Sequence, residues 1–165
     1  MKKIIIAVLM ALPTSLFAQK FAHVNSQLIV QAMPEYTAAQ TDIQNLQKQY
    51  EEELQRMQDE LKTKSDDFEK NQATLPDAVK QRRQQELQDL YQRLQQYFQT
   101  SEQELQKAQS EKMQAITSKV STAIKEIGAA GQYIYVMDTS SGIPFINETL
   151  STDVTDQVKA KLGIK

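Results

Sequence analysis

Residues 71–77 read NQATLPD, and Pro76 is the only Pro in the polar run 35–127, which contains no Gly. Such a stretch is a kink, a domain boundary or the tip of a helical hairpin. On its N-terminal side apolar residues fall at Ala39, Ile43, Leu46, Tyr50, Leu54, Met57, Leu61 and Phe68, with Lys64 or Ser65 filling one gap. On its C-terminal side they fall at Val79, Leu87, Leu90 or Tyr91, Leu94, Tyr97 or Phe98, Leu105, Ala108, Ile116, Val120, Ala123 or Ile124, and Ile127. Steps of three and four in a sea of Gln, Glu, Asp and Lys make a narrow seam of coiled-coil type, not the wide face of a core helix. Thr74-x-x-Asp77 resembles a capping box, and Pro76 falls in a first helical turn, where no backbone donor is needed. A single kinked helix would leave both stripes without a partner, whereas folding back lets each bury the other. The reading is therefore an antiparallel hairpin over residues 35–127 with its tip near 71–77. Its seam carries Ile43, Leu46, Tyr50, Leu54, Met57 and Leu61 on the first arm and Leu87, Leu94 and Leu105 on the second. An arm of nearly forty residues reaches roughly 55–60 Å.

Outward from the hairpin the chain changes character. Residues 21–24 (FAHV) read as a strand. Asn25 or Ser26 then caps a brief helix carrying Leu28, Ile29 and Val30. Pro34-Glu35 restarts a helix, with Pro in the first turn and the acid near its positive end. Beyond the second arm, Gly128 and Gly131 are expected to end the helix. Residues 133–137 and 143–146 are read as two strands of a hairpin joined through DTSSG. The ending STDVTDQVKAKLG reads as a short helix capped by Ser151 or Asp153 and closed by Gly163. Residues 19–34 and 128–165 together make a small α/β body of about three short strands. That body is too small to be stable comfortably alone, which points to oligomerisation. The fold class is mainly α.

The first eighteen residues, MKKIIIAVLMALPTSLFA, have the basic start, apolar run and small-residue end of a cleavable secretory signal. The apolar run is too short to span about 30 Å of hydrocarbon. Without Lys2 and Lys3 the balance of charge is about −4, so a nucleic-acid partner is not expected. With no Cys, thiol catalysis, disulfides and cysteine-bound metal are excluded. His23 is the only His and has no acid nearby in sequence, so it is read as a structural strand residue. Glu51, Glu52 and Glu53 point about 100° apart on a helix and do not converge. No phosphate loop, GxSxG or paired metal motif occurs. Catalysis, metal and cofactor are not expected.

In order, the strand-helix-MPEY start (FAHVNSQLIVQAMPEY), the polar hairpin with its Pro-containing tip, and the ending YIYVMDTSSGIPFINETLSTDVTDQVKAKLG resemble the Skp (OmpH) family of periplasmic chaperones for outer-membrane proteins. The resemblance covers nearly the whole chain after the signal. It implies a homotrimer with a small β-containing hub and projecting helical hairpins. It also implies an unfolded outer-membrane protein held between them in the periplasm without nucleotide. One departure is charge. The best-known members are strongly basic, whereas here only the tip is positive, with Lys62, Lys64, Lys70, Lys80, Arg82 and Arg83 against four acids in residues 62–83. A basic lipopolysaccharide cluster on the second arm has no match in QTSEQELQK.

Adjacent residues cannot both enter one narrow seam. One member of each of the doublets Leu90-Tyr91 and Tyr97-Phe98 is therefore expected to be partly exposed, and these four are the candidate client contacts. The six basic residues of the tip are candidates for acidic clients or a membrane surface, with a solvated tip as the plain alternative. A different function remains open at this stage: a coiled-coil spacer of the cell envelope that docks a folded partner end-on through the tip.

Overall fold

A computed structural model of the protein describes residues 19–164. The expected signal, 1–18, lies outside the described residues. The chain is mainly helical and divides into two compact units, residues 33–117 and a second formed by residues up to 32 together with those from 118 onward.

The first unit is a pair of long helices. Helix α2 spans Pro34–Asn71 and α3 spans Asp77–Ala130, so α3 continues into the other unit. Pro34 opens α2 after Met33 in extended backbone, and Glu35 lies in its first turn. The helices pair antiparallel. Progressively later residues of α2 meet progressively earlier ones of α3: Asp42 with Lys112, Tyr50 with Glu104, Lys64 with Glu86, and Asp67 with Arg83.

The connection at NQATLPD is made differently from the expected capping box. The Thr74 hydroxyl donates backward to the Asn71 carbonyl at 2.9 Å, which ties it to the end of the preceding helix. The Pro76 carbonyl instead accepts from the N–H groups of Val79 and Lys80, at 2.9 and 3.0 Å. Pro76 thus stands just before α3, with Asp77 in the first turn.

The second unit holds a three-stranded sheet of order β2-β1-β3, with β1 Lys20–Val24, β2 Tyr133–Asp138 and β3 Ser151–Asp153. Both outer strands run parallel to β1. This corrects the expected hairpin of 133–137 with 143–146. Asp138 does start a turn, a 3-10 helix over Thr139–Ser141 closed by Gly142 at φ 78°. Residues 143–146 then form no strand, and Pro144 has no donor to offer a ladder. The chain instead crosses to the far side of β1, where the short SerThrAsp segment supplies the third strand.

Alternation along β1 sends Ala22 and Val24 into the core, together with Ile29 of α1 (Ser26–Ala32), Val120 and Ala123 of α3, and Val154 and Val158 at α4 (Thr155–Lys161). Asn25 caps α1, its Oδ1 accepting from the Leu28 N–H at 3.0 Å. Ser26 is used differently: its N–H and hydroxyl both donate to Asp138, which also accepts from the Ser140 N–H. Asp153 takes the Thr155 N–H at 2.8 Å, and Gly163 at φ 73° closes α4 as expected.

The end of α3 meets the expectation in part, since the helix stops at Ala130, immediately before Gly131. Gly128 lies inside the helix, and the left-handed residue is Gln132 at φ 56°. Gly131 is needed for space, because the Tyr133 ring folds back over its Cα.

Candidate functional site

A two-helix seam cannot be closed on all sides. Ile43, Leu46, Tyr50, Leu54, Met57 and Leu61 on α2, with Leu87, Leu94 and Leu105 on α3, are all half-buried. Phe68, Leu90 and Ile116 are buried. The doublets split cleanly: Leu90 (5% exposed) points inward and Tyr91 (52%) outward. Tyr97 turns inward, its ring 6.1 Å from that of Tyr50 in an edge arrangement, and Phe98 is left 48% exposed. Of the four candidate contacts, Tyr91 and Phe98 are therefore open to a ligand and Leu90 and Tyr97 belong to the seam.

One seam residue was not legible as such. Ser101 is buried, and its hydroxyl donates to the Phe98 carbonyl at 2.9 Å. It shares a face with Tyr97 and Glu104 on successive turns, and Tyr50 reaches both, so a small side chain stands opposite a large one. The Tyr50 hydroxyl donates to Glu104 at 2.6 Å. That bond, with burial and the Glu104 charge, pushes its pKa up to about 12. The clue in the sequence is the four-residue step from Tyr97 to Ser101 to Leu105, which a search for apolar residues alone passes over.

The tip cations fall into two sets. Lys64 pairs with Glu60 and Glu86, Lys80 with Asp77 at 3.6 Å, and Arg83 with Asp67 at 2.7 Å. The bond to Lys64 holds the Glu86 carboxyl below its usual range. Lys62, Lys70 and Arg82 make no hydrogen bond or ion pair with the described residues. A bound anion would meet these three without first displacing a partner.

Two shallow grooves open along the helix pair. One, of about 270 Å³, is lined by Tyr36, Ala39, Gln40, Ile43, Gln44, Gln109, Lys112 and Met113. The other, of about 360 Å³, is lined by Leu54, Gln58, Leu94, Gln95, Phe98 and Gln99. Each has an apolar floor and a rim of Gln amides, which offer donors and acceptors without charge.

The sheet unit has an open apolar face of its own. Phe21 lies beside Tyr135 in the β1–β2 register, with ring centroids 5.0 Å apart, and His23 lies beside Met137. Tyr135 and Met137 are 49% and 41% exposed, and Phe145 and Leu150 in the crossing segment are more exposed still. The fold brings His23 next to an acid that is remote in sequence. Its Nδ1 is 2.9 Å from the Ser151 hydroxyl, and Asp153 is its register partner. The Asp153 carboxylate, however, accepts the Thr155 N–H and so caps α4. The set is a strand-to-strand tie, with no second group placed to activate the serine. No cluster of three or more His, Cys, Asp or Glu capable of holding a metal occurs among the described residues. Likewise, no helix among them is long and apolar enough to cross a membrane.

Compared with known proteins, the sequence matches the OmpH family, described as outer membrane protein (OmpH-like), over residues 20–162. No curated protein matches it. Among solved structures, the crystal structure of a candidate outer membrane chaperone (OmpH-like) from Caulobacter crescentus CB15 is similar, with a TM-score of 0.75 at 17% identity. The likeness covers 87% of this chain and 83% of that one and is a likeness of fold. With its matched span covering almost every described residue, this chain belongs to the OmpH-like outer membrane protein family.

Proposed function

We propose that this protein is an ATP-independent holdase of the periplasm, which binds unfolded outer-membrane proteins along its helical hairpins and keeps them from aggregating. The observation that carries this reading is the distribution of apolar surface on the helix pair. Two exposed aromatic residues, Tyr91 and Phe98, and two shallow grooves are set in a surface that is otherwise polar and rich in Gln. Separate weak contacts retain a chain through multivalency and still release it, which a machine without an energy source requires. Membership of the OmpH-like family supports the client class and the compartment.

A homotrimer built through the sheet unit fits the same reading. The exposed Tyr135, Met137, Phe145 and Leu150 form more apolar surface than so small a unit leaves open without purpose. At the tip, Lys62, Lys70 and Arg82 are the residues available for an acidic client or a membrane surface. The tip carries little for end-on docking of a folded partner, since its apolar residues Leu75 and Val79 are themselves half-buried. The test is light scattering of the purified protein followed by aggregation suppression with a urea-denatured barrel protein. The expected result is a trimer that suppresses aggregation at stoichiometric amounts without nucleotide. Aggregation that proceeds unchanged overturns the proposal.

A further inference from the structure

Five lining positions of the two grooves coincide in register, although the apolar residues Tyr36, Ala39 and Ile43 of the first have no counterpart in the lining of the second. Gln40 and Gln44 of the first correspond to Leu54 and Gln58 of the second, fourteen residues on along α2. Gln109, Lys112 and Met113 correspond to Gln95, Phe98 and Gln99, fourteen residues back along α3. Fourteen residues are two heptads, and positions two heptads apart lie on the same face of a coiled coil. At 1.5 Å per residue the grooves are about 21 Å apart. Between them on α2 lie Gln47 and Glu51, hydrogen-bonded to each other at 2.8 Å. Lys112 is the only charged residue lining either groove, and Asp42 neutralises it at 2.6 Å. The linings of the two grooves therefore carry no net charge, which suits an uncharged side chain in each.

An extended chain rises about 3.4 Å per residue, so a span of about 21 Å corresponds to six residues. Six is even, and residues an even number apart point to the same side of a strand. The strands of an outer-membrane barrel alternate apolar and polar residues over roughly ten positions, so each offers apolar side chains at that separation. We infer that this face of the hairpin is a two-point ruler for one extended segment of an unfolded barrel strand. Apolar side chains at positions i and i+6 enter the two grooves together while the Gln amides of the groove rims bond the backbone on either side of each. The inference rests on the holdase reading and adds to it a length and a parity.

Labelled fourteen-residue peptides of Ser, Thr and Gln carrying two Phe residues four, five, six or eight apart test it by fluorescence anisotropy against the purified protein. The six-residue spacing should bind at least about tenfold more tightly than the five-residue one, whose Phe side chains point to opposite sides. Phe98→Gln and Met113→Gln, each checked for intact helix by circular dichroism, should each reduce that ratio to about one. Arg93→Gln, outside both grooves, should leave it unchanged. Equal affinity at five and six, or a preference that survives Phe98→Gln, overturns the ruler. So does peptide affinity that rises as the protein is diluted, which would mean that a second copy fills the grooves. A protein with a flat spacing profile that still suppresses aggregation of a denatured barrel loses the ruler alone. One that suppresses nothing loses the holdase reading and the ruler with it.

Discussion

The sheet unit and the helix pair stay folded by different means. In the sheet unit Ala22, Ile29, Val154 and Val158 are wholly closed to solvent, within a core that also takes in Val24 and, from α3, Val120 and Ala123. In the helix pair most of the apolar seam is only half covered, and polar rungs from Asp42–Lys112 to Asp67–Arg83 cross it at intervals. A small closed core concentrates stability in a few side chains. A long open seam spreads it thinly, so that no one residue decides, and it leaves apolar edges for other uses. With few aromatics and no Trp, the chain keeps its tightest packing where strands meet and economises along the helices.

That contrast is broken most directly at Ile29. Ile29→Ala removes a fully buried side chain next to β1 and should lower stability by about 2–5 kcal/mol in urea titration followed by circular dichroism. A loss under about 1 kcal/mol would mean that the core is not closed as described.

Asp138 ranks next. Burial pushes its carboxyl up, but the bonds from Ser26 and Ser140 outweigh this and hold it below the usual aspartate range. Asp153 is held low in the same way by Thr155 and by the nearby His23. A depressed folded pKa contributes stability above the unfolded value of about 3.9, and that contribution is lost as pH falls through the folded value. Asp138→Asn should cost about 1–3 kcal/mol at neutral pH and flatten the acid limb of a stability profile taken from pH 6 downward. An unchanged acid limb would assign the acid sensitivity elsewhere.

Much of this division is legible in the sequence. The steps of three and four, broken once at NQATLPD, identify two seams and a turn. The Leu90-Tyr91 and Tyr97-Phe98 doublets announce that something apolar must remain outside. The sheet was harder to read. A parallel partner for residues 20–24 lies more than a hundred residues away, and nothing local signals it. The three-residue β3 is too short and too polar to be marked as a strand. The DTSSG turn is plain in the sequence, but a turn fixes only a change of direction, not which strand the chain pairs with next. The grooves are hidden in the sequence for a different reason. Their repeat is written mostly in Gln, a residue that reads as solvent-facing filler.

On the helix pair the expected effects are smaller. Tyr50→Phe removes the bond to Glu104 and should cost about 0.5–1.5 kcal/mol. Because the folded pKa of Tyr50 is raised, its contribution is complete below the unfolded value of about 10 and disappears as pH rises toward about 12. The variant should therefore lack that part of the alkaline destabilisation, and a profile identical to wild type would remove Tyr50 as its source. The exposed pair Lys112–Asp42 comes last. Lys112→Gln should change stability by less than about 1 kcal/mol, and by less still at high salt. A larger loss would show that the rungs, more than the apolar seam, hold the helices together.

Neighbouring strands β1 and β2 are separated in the chain by the whole helix pair. As a disordered loop, that intervening stretch of over a hundred residues would make their encounter slow. Once the helices have zipped, residues 33–117 act as a single stitched unit, and the span still to be closed shrinks to roughly 25 residues. Loop-closure entropy then falls by about 1.3 kcal/mol, close to a tenfold gain in encounter rate. Zipping of the hairpin should therefore speed formation of the sheet, and slowing its assembly should delay the appearance of strand signal in a refolding experiment.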